Sequence, residues 1–157
     1  MKSTTYLPHA ASHPALDATI RLTYVDPKEI DGIWERVVPF LAPSVELVAG
    51  RHTVEDIRCF LAVEAMQLFV IWSELRLEPL GVLVTEILDH KGGRALQICH
   101  LGGKELATWI DKLNGIETWA KDLGCRWIEV PGRYGWAKVL SRMGYQPFCI
   151  TMTKELV

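Results

Sequence analysis

The feature that most constrains the fold of this chain is a strand, turn and helix pattern close to its C-terminus. Residues Cys125–Val130 have the pattern of a buried strand, and the turn residues Pro131-Gly132 follow it. A short helix comes next, and its apolar residues share one face: Trp136, Val139, Leu140 and Met143. Gly144 then supplies a stop for the helix. Together with the elements before it, this pattern predicts a mixed α/β domain.

Length and composition limit the kind of protein this is. The 157 residues are enough for one domain with its own core, and 49% hydrophobic with 23% charged residues is typical of a soluble globular chain. The net charge of −2 argues against broad electrostatic binding to nucleic acid. No apolar run approaches the ~20 residues that cross a bilayer, and the N-terminus has no apolar core of signal-peptide length. We therefore expect a cytoplasmic protein without a membrane or nucleic-acid partner.

Cysteine and histidine patterns give no sign of a metal site. The four cysteines lie far apart in apolar surroundings, which predicts reduced thiols in the core. The five histidines do not show the spacing of metal ligands on a common element.

The chain divides into a short leader and one domain. Residues 1–18 are dominated by Ser, Thr, Ala, Pro and His without any period, which predicts a flexible N-terminal leader. This leader is either a frayed end or an arm that becomes ordered on a partner. Residues 19–157 are predicted to form a single domain.

The first half of the domain is predicted to contain one strand and two helices. Residues Ile20–Val25 alternate apolar and polar, as in a half-buried strand. Asp26 and Pro27 are suited to the start of a helix, which Pro39 and Pro43 are expected to end. Thr53 is the expected cap of a second helix, with Asp56 completing a weaker form of the capping box.

Three strands follow, and two of them form a hairpin. Residues Gln67–Trp72 are nearly all apolar, as in a strand covered on both faces. Residues Leu80–Leu88 and Arg94–Leu101 are predicted to pair antiparallel through the loop Asp89–Gly93.

A long third helix and a final strand complete the order of elements. The apolar stripe predicts a helix over Lys104–Leu123, with a kink or break at the turn signal Asn114-Gly115. Residues Gln146–Lys154 are predicted to form the last strand. The order is therefore β-α-α-β-β-β-α-β-α-β.

This pattern resembles the GNAT family of acyl-CoA-dependent N-acyltransferases. The ending Ala-x-x-Leu-x-x-x-Gly-aromatic after a strand, here Ala137 to Tyr145, is similar to the C-terminal half of that family, and the order of elements over residues 20–154 also matches. The resemblance implies a mixed, mostly antiparallel central sheet flanked by helices. It also implies a V-shaped opening between the fourth and fifth strands, where acyl-CoA lies, and we expect these strands to separate after Leu101.

The resemblance further implies a loop that binds the pyrophosphate of acetyl-CoA through backbone N–H groups at the start of the third helix. The equivalent residues here are His100–Glu105, a shorter loop without the leading Gln or Arg of the family pattern. An ordinary strand–helix turn is the alternative. The predicted cofactor-binding residues are Leu101, Gly102, Gly103, Lys104 and Arg133. Arg133 and Tyr134, beside Trp136, are predicted to form a small stacking surface for adenine or a partner.

The catalytic candidates are His100, Tyr134 and Glu86. Family enzymes commonly have a Tyr after the Leu of the fourth helix as the acid for the CoA thiolate, and this chain has Ser141 there. Tyr134 is a second source of a proton, or a packing or surface residue. An amine acceptor also needs a base, for which Glu86, His100 and Glu129 are candidates, each with a structural role as its alternative.

Two functions remain open at this point. The first is an enzyme that transfers an acetyl group from acetyl-CoA to an amine of a small molecule or protein. The second is a non-catalytic protein, because the chain is also similar to the small GNAT-like proteins of tailed phages, including the internal-virion-protein group of podoviruses. Residues Trp34–Val37, Gly50–Asp56 and Tyr145–Leu156 carry that similarity. It implies virion assembly or binding of a host protein, in the host cytoplasm or the virion, and Ser141 and the short loop favour it.

Overall fold

One five-stranded sheet organises the protein. The computed structural model of the chain describes residues 19–47 and 51–156, so the predicted leader lies outside the described residues. The strands stand in chain order from β1 to β5; β1 to β4 pair antiparallel, and β5 runs parallel to β4. Their bounds are Ile20–Val25 (β1), Gln67–Ser73 (β2), Glu78–His90 (β3), Gly93–Gly103 (β4) and Cys125–Glu129 (β5).

Helices cover both faces of the sheet. The α-helices are Ile30–Glu46 (α1), Val54–Ala62 (α2), Asn114–Asp122 (α3) and Tyr134–Leu140 (α4), and short 3-10 turns occur at Pro27–Glu29, Leu106–Thr108, Ile110–Leu113 and Ser141–Met143. The helices α1 and α2 enclose one apolar layer, and α3 with the turns before it encloses the other. The predicted mixed α/β class, with a mostly antiparallel sheet between helices, is confirmed. Among the described helices, none has the length and apolar character needed to cross a bilayer.

Both predicted caps are present, although Asp26 caps the 3-10 turn Pro27–Glu29 and the α-helix α1 begins only at Ile30, without a side-chain cap of its own. The Asp26 carboxylate accepts a hydrogen bond from the Lys28 N–H at 2.9 Å. At the start of α2, the Asp56 N–H donates to Thr53 Oγ1 at 3.1 Å, and the Thr53 N–H donates to Asp56 Oδ2 at 2.7 Å. The capping box is therefore complete, and it satisfies two backbone donors that have no partner inside the helix.

The helix α1 continues past the two prolines that were predicted to end it. It runs to Glu46 with Pro39 and Pro43 inside it. Each internal proline costs about 3 kcal/mol, since it removes a backbone hydrogen bond and crowds the preceding turn. Beyond Pro39 the helix buries Leu41 and Val45 and packs Phe40 against the same layer. Burial worth roughly 1.5–3 kcal/mol per fully buried side chain offsets much of that cost, so packing overrides local propensity.

The long helix predicted for Lys104–Leu123 forms only in its second half. Two 3-10 turns occupy the first half, and the α-helix begins at Asn114, the position of the predicted break. Glu105 has a left-handed backbone with φ 56°, which a continuous helix cannot contain. The backbone of Trp109 also departs from helical values, with φ −137°. The apolar stripe was correct, because Trp109, Leu113, Ile116 and Ala120 are all buried.

Two further predictions were wrong. No strand forms over Gln146–Lys154; these residues have no regular secondary structure, and their apolar side chains are exposed. The cysteines are free, as expected, but they do not lie deep in the core. Cys59 and Cys149 are exposed, and Cys99 and Cys125 are half-buried.

Gly102 allows α1 to approach β4 closely, and this contact can be tested. A Cβ atom at Gly102 would collide with the backbone carbonyl of Phe40 in α1. We expect Gly102→Ala to lower the free energy of unfolding by about 1–3 kcal/mol, the usual cost of overpacking, as measured by urea denaturation. The matched control is Gly135→Ala in α4, where a Cβ would meet no atom of the described part of the chain within 4 Å. This control should be neutral or stabilise by about 0.5–1 kcal/mol, and equal losses in both variants would contradict the interpretation.

Candidate active site

The strands β4 and β5 separate part of the way along the sheet. Their parallel pairing is confined to a ladder from Arg94 opposite Cys125 to Gln97 opposite Glu129. The strand β4 continues to Gly103, and among the described strands it pairs there only with β3. The predicted separation is confirmed, although it begins after Gln97 and not after Leu101. The edge of β4 beyond Gln97 therefore presents unpaired backbone groups to the gap, as in any strand that has lost one neighbour.

A bulge in β4 marks the point of separation. The register shifts between Val84 opposite His100 and Thr85 opposite Ile98, so Cys99 has no partner in β3. A bulge bends a strand and increases its twist, which turns the end of β4 away from the direction of β5. Burial raises the pKa of the Cys99 thiol to about 11. This thiol is therefore protonated at neutral pH and is a poor nucleophile.

A narrow cavity of 240 Å³ lies at this gap. Its walls come from α1, from the end of β4, from the turns after β4 and from the start of α4. The lining residues are Pro39, Phe40, Pro43, Ser44, Leu47, Leu101, Gly102, Gly103, Leu106, Trp109, Arg133 and Trp136. Most of these side chains are apolar, and Arg133 is the charged one among these described residues.

Trp109 forms the floor of the cavity. Its side chain is buried, and its indole Nε1–H donates to the Lys104 carbonyl at 2.7 Å. A Cβ at Gly103 would lie 2.9 Å from this ring, and one at Gly81 would lie 3.1 Å from it. The glycines on the two paired strands therefore make room for the indole.

The predicted cofactor loop is only partly available for binding. Leu101, Gly102 and Gly103 line the cavity, as expected of residues that contact a ligand. Lys104 does not line it: its N–H donates to the Leu80 carbonyl at 2.8 Å, and its Nζ lies 3.1 Å from Glu78 Oε1. The α-helix expected to begin at this loop does not form there. The role of these residues toward acetyl-CoA stays a prediction.

Ion pairs hold the loop in its strained conformation. Arg76 donates two hydrogen bonds to the Glu105 carboxylate, at 2.8 and 2.6 Å, and lies 3.5 Å from Glu78. These hydrogen bonds lower the pKa of Glu105 and raise that of Arg76. A left-handed backbone at a non-glycine residue costs about 1–2 kcal/mol. The two-point contact with Arg76 favours this conformation of Glu105 and so holds the end of β4 in place.

Arg133 precedes α4 and lies at the mouth of the cavity. Its guanidinium makes no ion pair with any residue in the described ranges. Trp136, one turn further along, lines the same cavity. A cation beside an indole offers both a charge for an anion and a flat apolar face for a ring. The stacking surface predicted from Arg133, Tyr134 and Trp136 stays a prediction: Arg133 and Trp136 line this cavity, and Tyr134 does not.

His100 does not line the cavity itself, but it contacts a residue that does. Its side chain is buried, with 5% exposed, and its Nδ1 lies 3.0 Å from the Ser44 hydroxyl oxygen. Ser44 lines the cavity, and His100 does not. Burial, and to a lesser extent the charge of His52, lower the pKa of His100, so its imidazole is neutral near pH 7. A neutral imidazole that is hydrogen-bonded to a hydroxyl can accept a proton through it.

The other catalytic candidates lie away from the cavity. Tyr134 is 81% exposed and is not among the lining residues. Glu86 is half-buried on β3 opposite Gln97, with Oε2 3.9 Å from Cys99 Sγ. Glu129 accepts a hydrogen bond from Trp127 Nε1 at 2.6 Å and lies 3.6 Å from His90 Nε2. The hydroxyl of Ser141 donates to the Lys138 carbonyl at 3.0 Å.

Sequence reasoning missed the contribution of α1. Pro39 and Pro43 were interpreted as helix stops, whereas both lie inside the helix and line the cavity together with Ser44. Their spacing of one helical turn places them on the same face, and this spacing was the available signal. Across the described ranges, no cluster of three or more His, Cys, Asp or Glu side chains forms that could hold a metal ion.

Comparisons with solved structures identify the fold. Neither a protein-family model nor a curated protein sequence matches this chain. An aminoglycoside acetyltransferase from an uncultured soil metagenomic sample, solved in complex with sisomicin, superposes with a TM-score of 0.66 at 10% identity, covering 90% of this chain and 99% of that one. Glucosamine-6-phosphate N-acetyltransferase from Arabidopsis thaliana gives 0.58 at 13% identity, with 88% and 99% coverage.

A third solved structure agrees with these two. Ribosomal-protein-alanine N-acetyltransferase from Brucella melitensis biovar Abortus 2308 superposes with a TM-score of 0.61 at 10% identity, covering 88% of this chain and 99% of that one. At sequence identities this low, structural similarity shows a shared fold and does not show a shared activity. The arrangement of helices around a sheet whose fourth and fifth strands separate is the GNAT acetyltransferase fold.

The buried imidazole of His100 predicts a dependence of stability on pH. Because its pKa is lowered on folding, the unfolded chain takes up a proton below about pH 6.5 that the folded chain does not. This contribution to stability is fully present above that pH and is lost as the pH falls through the lowered pKa. We expect His100→Gln to reduce the slope of unfolding free energy against pH between about pH 7.5 and 5.5, measured by urea denaturation. Parallel slopes in the two proteins would contradict this prediction.

Proposed function

We propose that this chain is an N-acyltransferase that transfers an acetyl group from acetyl-CoA to an amine. The observation that carries the proposal is the separation of β4 from β5 beside a narrow apolar cavity that has Arg133 at its mouth. An acyl donor needs such a combination: an apolar slot, free backbone groups along one wall and a cation for its phosphates. The fold shared with solved acetyltransferases supports this interpretation.

The residues present fit acetyl-CoA in part. A cavity of 240 Å³ is smaller than the ~300–1,000 Å³ of sites that enclose a whole drug-sized ligand. A cavity of this size suits the acetyl group of acetyl-CoA and the narrow chain that carries it, while the nucleotide part of acetyl-CoA would lie outside on the surface. The unpaired N–H and C=O groups at the edge of β4 would form hydrogen bonds with the amides of that chain, and the positive charge of Arg133 would attract the phosphates. Because the Lys104 N–H already bonds to Leu80, Arg133 would supply the main contact with phosphate.

The backbone of β4 is the proposed source of electrostatic stabilisation. Bound acetyl-CoA would supply an acetyl group that is activated as a thioester. Unpaired N–H groups of β4 between Ile98 and Leu101 would donate to the oxygen that becomes negative when an amine attacks. One such donor contributes about 2.7–4 kcal/mol in enzymes that have been dissected by mutation. These donors belong to a strand held rigidly on its other side by β3, so little reorganisation is needed.

His100 and Ser44 are the proposed route for the proton of the amine. Ser44 Oγ lines the cavity and lies 3.0 Å from His100 Nδ1. The Ser44 hydroxyl would accept the amine proton as it passes its own to the neutral imidazole. His100 thus keeps the role of base that the sequence suggested, acting through a residue that the sequence did not indicate. Tyr134 and Glu86 remain untested candidates for a proton donor and a second base.

The acceptor is proposed only as an amine, of a small molecule or of a protein. The solved neighbours are named for aminoglycosides, for glucosamine-6-phosphate and for an alanine of a ribosomal protein. These acceptors differ greatly in size and charge although the folds agree. The acceptor therefore depends on surface residues outside the shared framework.

Binding of acetyl-CoA tests the proposal directly. We expect isothermal titration calorimetry to detect binding to the wild-type protein and Arg133→Gln to weaken it by roughly tenfold or more, since a hydrogen bond to a charged group contributes about 1.5–3 kcal/mol. The matched control is Arg142→Gln, an exposed arginine that does not line the cavity. It should bind like the wild type, and equal weakening in both variants would indicate a general effect of charge.

Turnover tests the proton route separately. With an amine acceptor identified by screening, Ser44→Ala should lower kcat by roughly a hundredfold with little change in the affinity for acetyl-CoA. An unchanged kcat would reject the Ser44 and His100 relay while leaving the function intact.

A non-catalytic protein is the second candidate. Two observations favour it: Ser141 stands where an acid is expected and its hydroxyl is bonded to Lys138, and the Lys104 N–H is bonded to Leu80. Such a protein would act in virion assembly or in binding a host protein, as the resemblance to phage proteins implies. Absence of heat on titrating the wild-type protein with acetyl-CoA would reject the enzyme and leave this candidate.

A further inference from the structure

The helix α1 carries two prolines, one turn apart, on the wall of the cavity. Pro39 and Pro43 both lie inside this helix, and both line the cavity together with Ser44. Residues four positions apart share one face of an α-helix. Both prolines are exposed, so this face of α1 is open to a molecule that enters the cavity.

Pro43 removes the helical hydrogen bond of the Pro39 carbonyl. In an α-helix the carbonyl of one residue accepts from the N–H four residues later, and proline has no N–H to donate. Among the described residues, no backbone donor from another element and no side chain takes its place. A helical carbonyl points along the axis toward the residue four positions on, so this oxygen lies between two residues of the cavity wall.

Ser44 supplies a second hydrogen-bond acceptor on the same wall. Its hydroxyl oxygen lies 3.0 Å from His100 Nδ1. A hydroxyl that donates its proton to a neutral imidazole keeps its own lone pairs free to accept. Because the Pro39 carbonyl points toward the level of Pro43, it approaches Ser44, the next residue along the helix. The wall of α1 therefore presents two neighbouring acceptors to a cavity whose other lining is mostly apolar.

We propose that the Pro39 carbonyl holds the attacking amine by accepting one of its N–H groups, a role that rests on the acetyl transfer proposed above. A primary amine has two N–H groups. Ser44 would accept the one whose proton is transferred, and the Pro39 carbonyl would accept the one that the nitrogen keeps. With both N–H groups bound to α1, the lone pair of the nitrogen is directed away from the helix, toward the space for the acetyl group.

These contacts are kept through the whole reaction. The nitrogen forms a bond to the thioester carbon, the carbon–sulfur bond breaks, and its electron pair leaves with the sulfur as the CoA thiolate. One amine proton passes to the Ser44 hydroxyl as that hydroxyl passes its own proton to His100. The acetamide product retains one N–H, which stays on the Pro39 carbonyl. This carbonyl is therefore paired from substrate to product, which avoids the cost of an unpaired polar group beside apolar side chains.

Selectivity between a primary and a secondary amine tests the role of Pro39. N-methylbutylamine has a single N–H, so its transfer to Ser44 would leave the Pro39 carbonyl unpaired. We expect the wild type to acetylate butylamine with a kcat/KM roughly tenfold or more above that for N-methylbutylamine, measured by mass spectrometry of the products. Pro43→Ala restores the helical N–H and covers the Pro39 carbonyl. This variant should shift the selectivity toward the ratio of the two uncatalysed reactions.

The matched variant is Pro39→Ala, which keeps the carbonyl of position 39. It also removes one ring from the cavity wall and one internal proline from α1, but the carbonyl that it pairs is that of Glu35, which does not line the cavity. Both variants should fold, because each removes a residue that disfavours a helix interior. The amine selectivity should persist in Pro39→Ala, whatever its effect on the rate. Equal loss in both variants would show that the rings exclude the methyl group by size and would overturn the inference.

The remaining outcomes separate this role from the proposed function. A wild type that acetylates both amines equally, or a selectivity that Pro43→Ala leaves intact, would overturn the role of the Pro39 carbonyl and leave the acetyl transfer standing. No turnover of butylamine would also overturn this role, because butylamine can make both contacts. Calorimetry with acetyl-CoA then decides about the function: heat of binding would still support it, and absence of heat would reject both.

Discussion

The close contact between α1 and the end of β4 is the constraint on which the candidate site depends. The backbone carbonyl of Phe40 lies against Gly102 at a distance that no side chain at that position allows. This contact holds the end of β4 beneath α1, while β3 pairs with β4 on its other side. The strand β4 stays paired with β3 beyond the point where its pairing with β5 ends, at Gln97 opposite Glu129. The gap, the cavity and the free edge of β4 all lie beside this contact.

Burial also decides the chemistry of the side chains around the gap. His100 lies in the same apolar layer as α1, so its pKa falls and its imidazole is neutral. Ser44 connects it to the cavity, because α1 continues through two prolines and carries Ser44 to that level. The loop after β4 is held by Arg76 and Glu105, which keeps Trp109 beneath the cavity. Rigid packing of this kind suits a site that works by positioning.

Much of the framework could be predicted from local patterns. The strands were located because their apolar runs and turn residues are local signals, and the Thr53 and Asp56 box was found because a cap lies within four residues. Leu101, Gly102, Gly103 and Arg133 were predicted to share one site, and they line one cavity. Ser44 was not predicted, since it lies 56 positions from His100 and no local pattern links them.

The sequence by itself determined the order of the elements from β1 to α4, the hairpin between β3 and β4, and the alternating apolar residues of the tail, because each depends on the spacing of neighbouring residues. Only the tertiary structure decided that α1 passes through Pro39 and Pro43, that the helix after β4 starts at Asn114, and that the tail leaves β5 uncovered. In the first two cases the local preference is worth a few kcal/mol, and packing between distant segments contributes as much or more. The apolar side chains of the tail find no such packing among the described residues and stay exposed. Local signals therefore specify elements, whereas contacts between distant residues decide where those elements end and what they enclose.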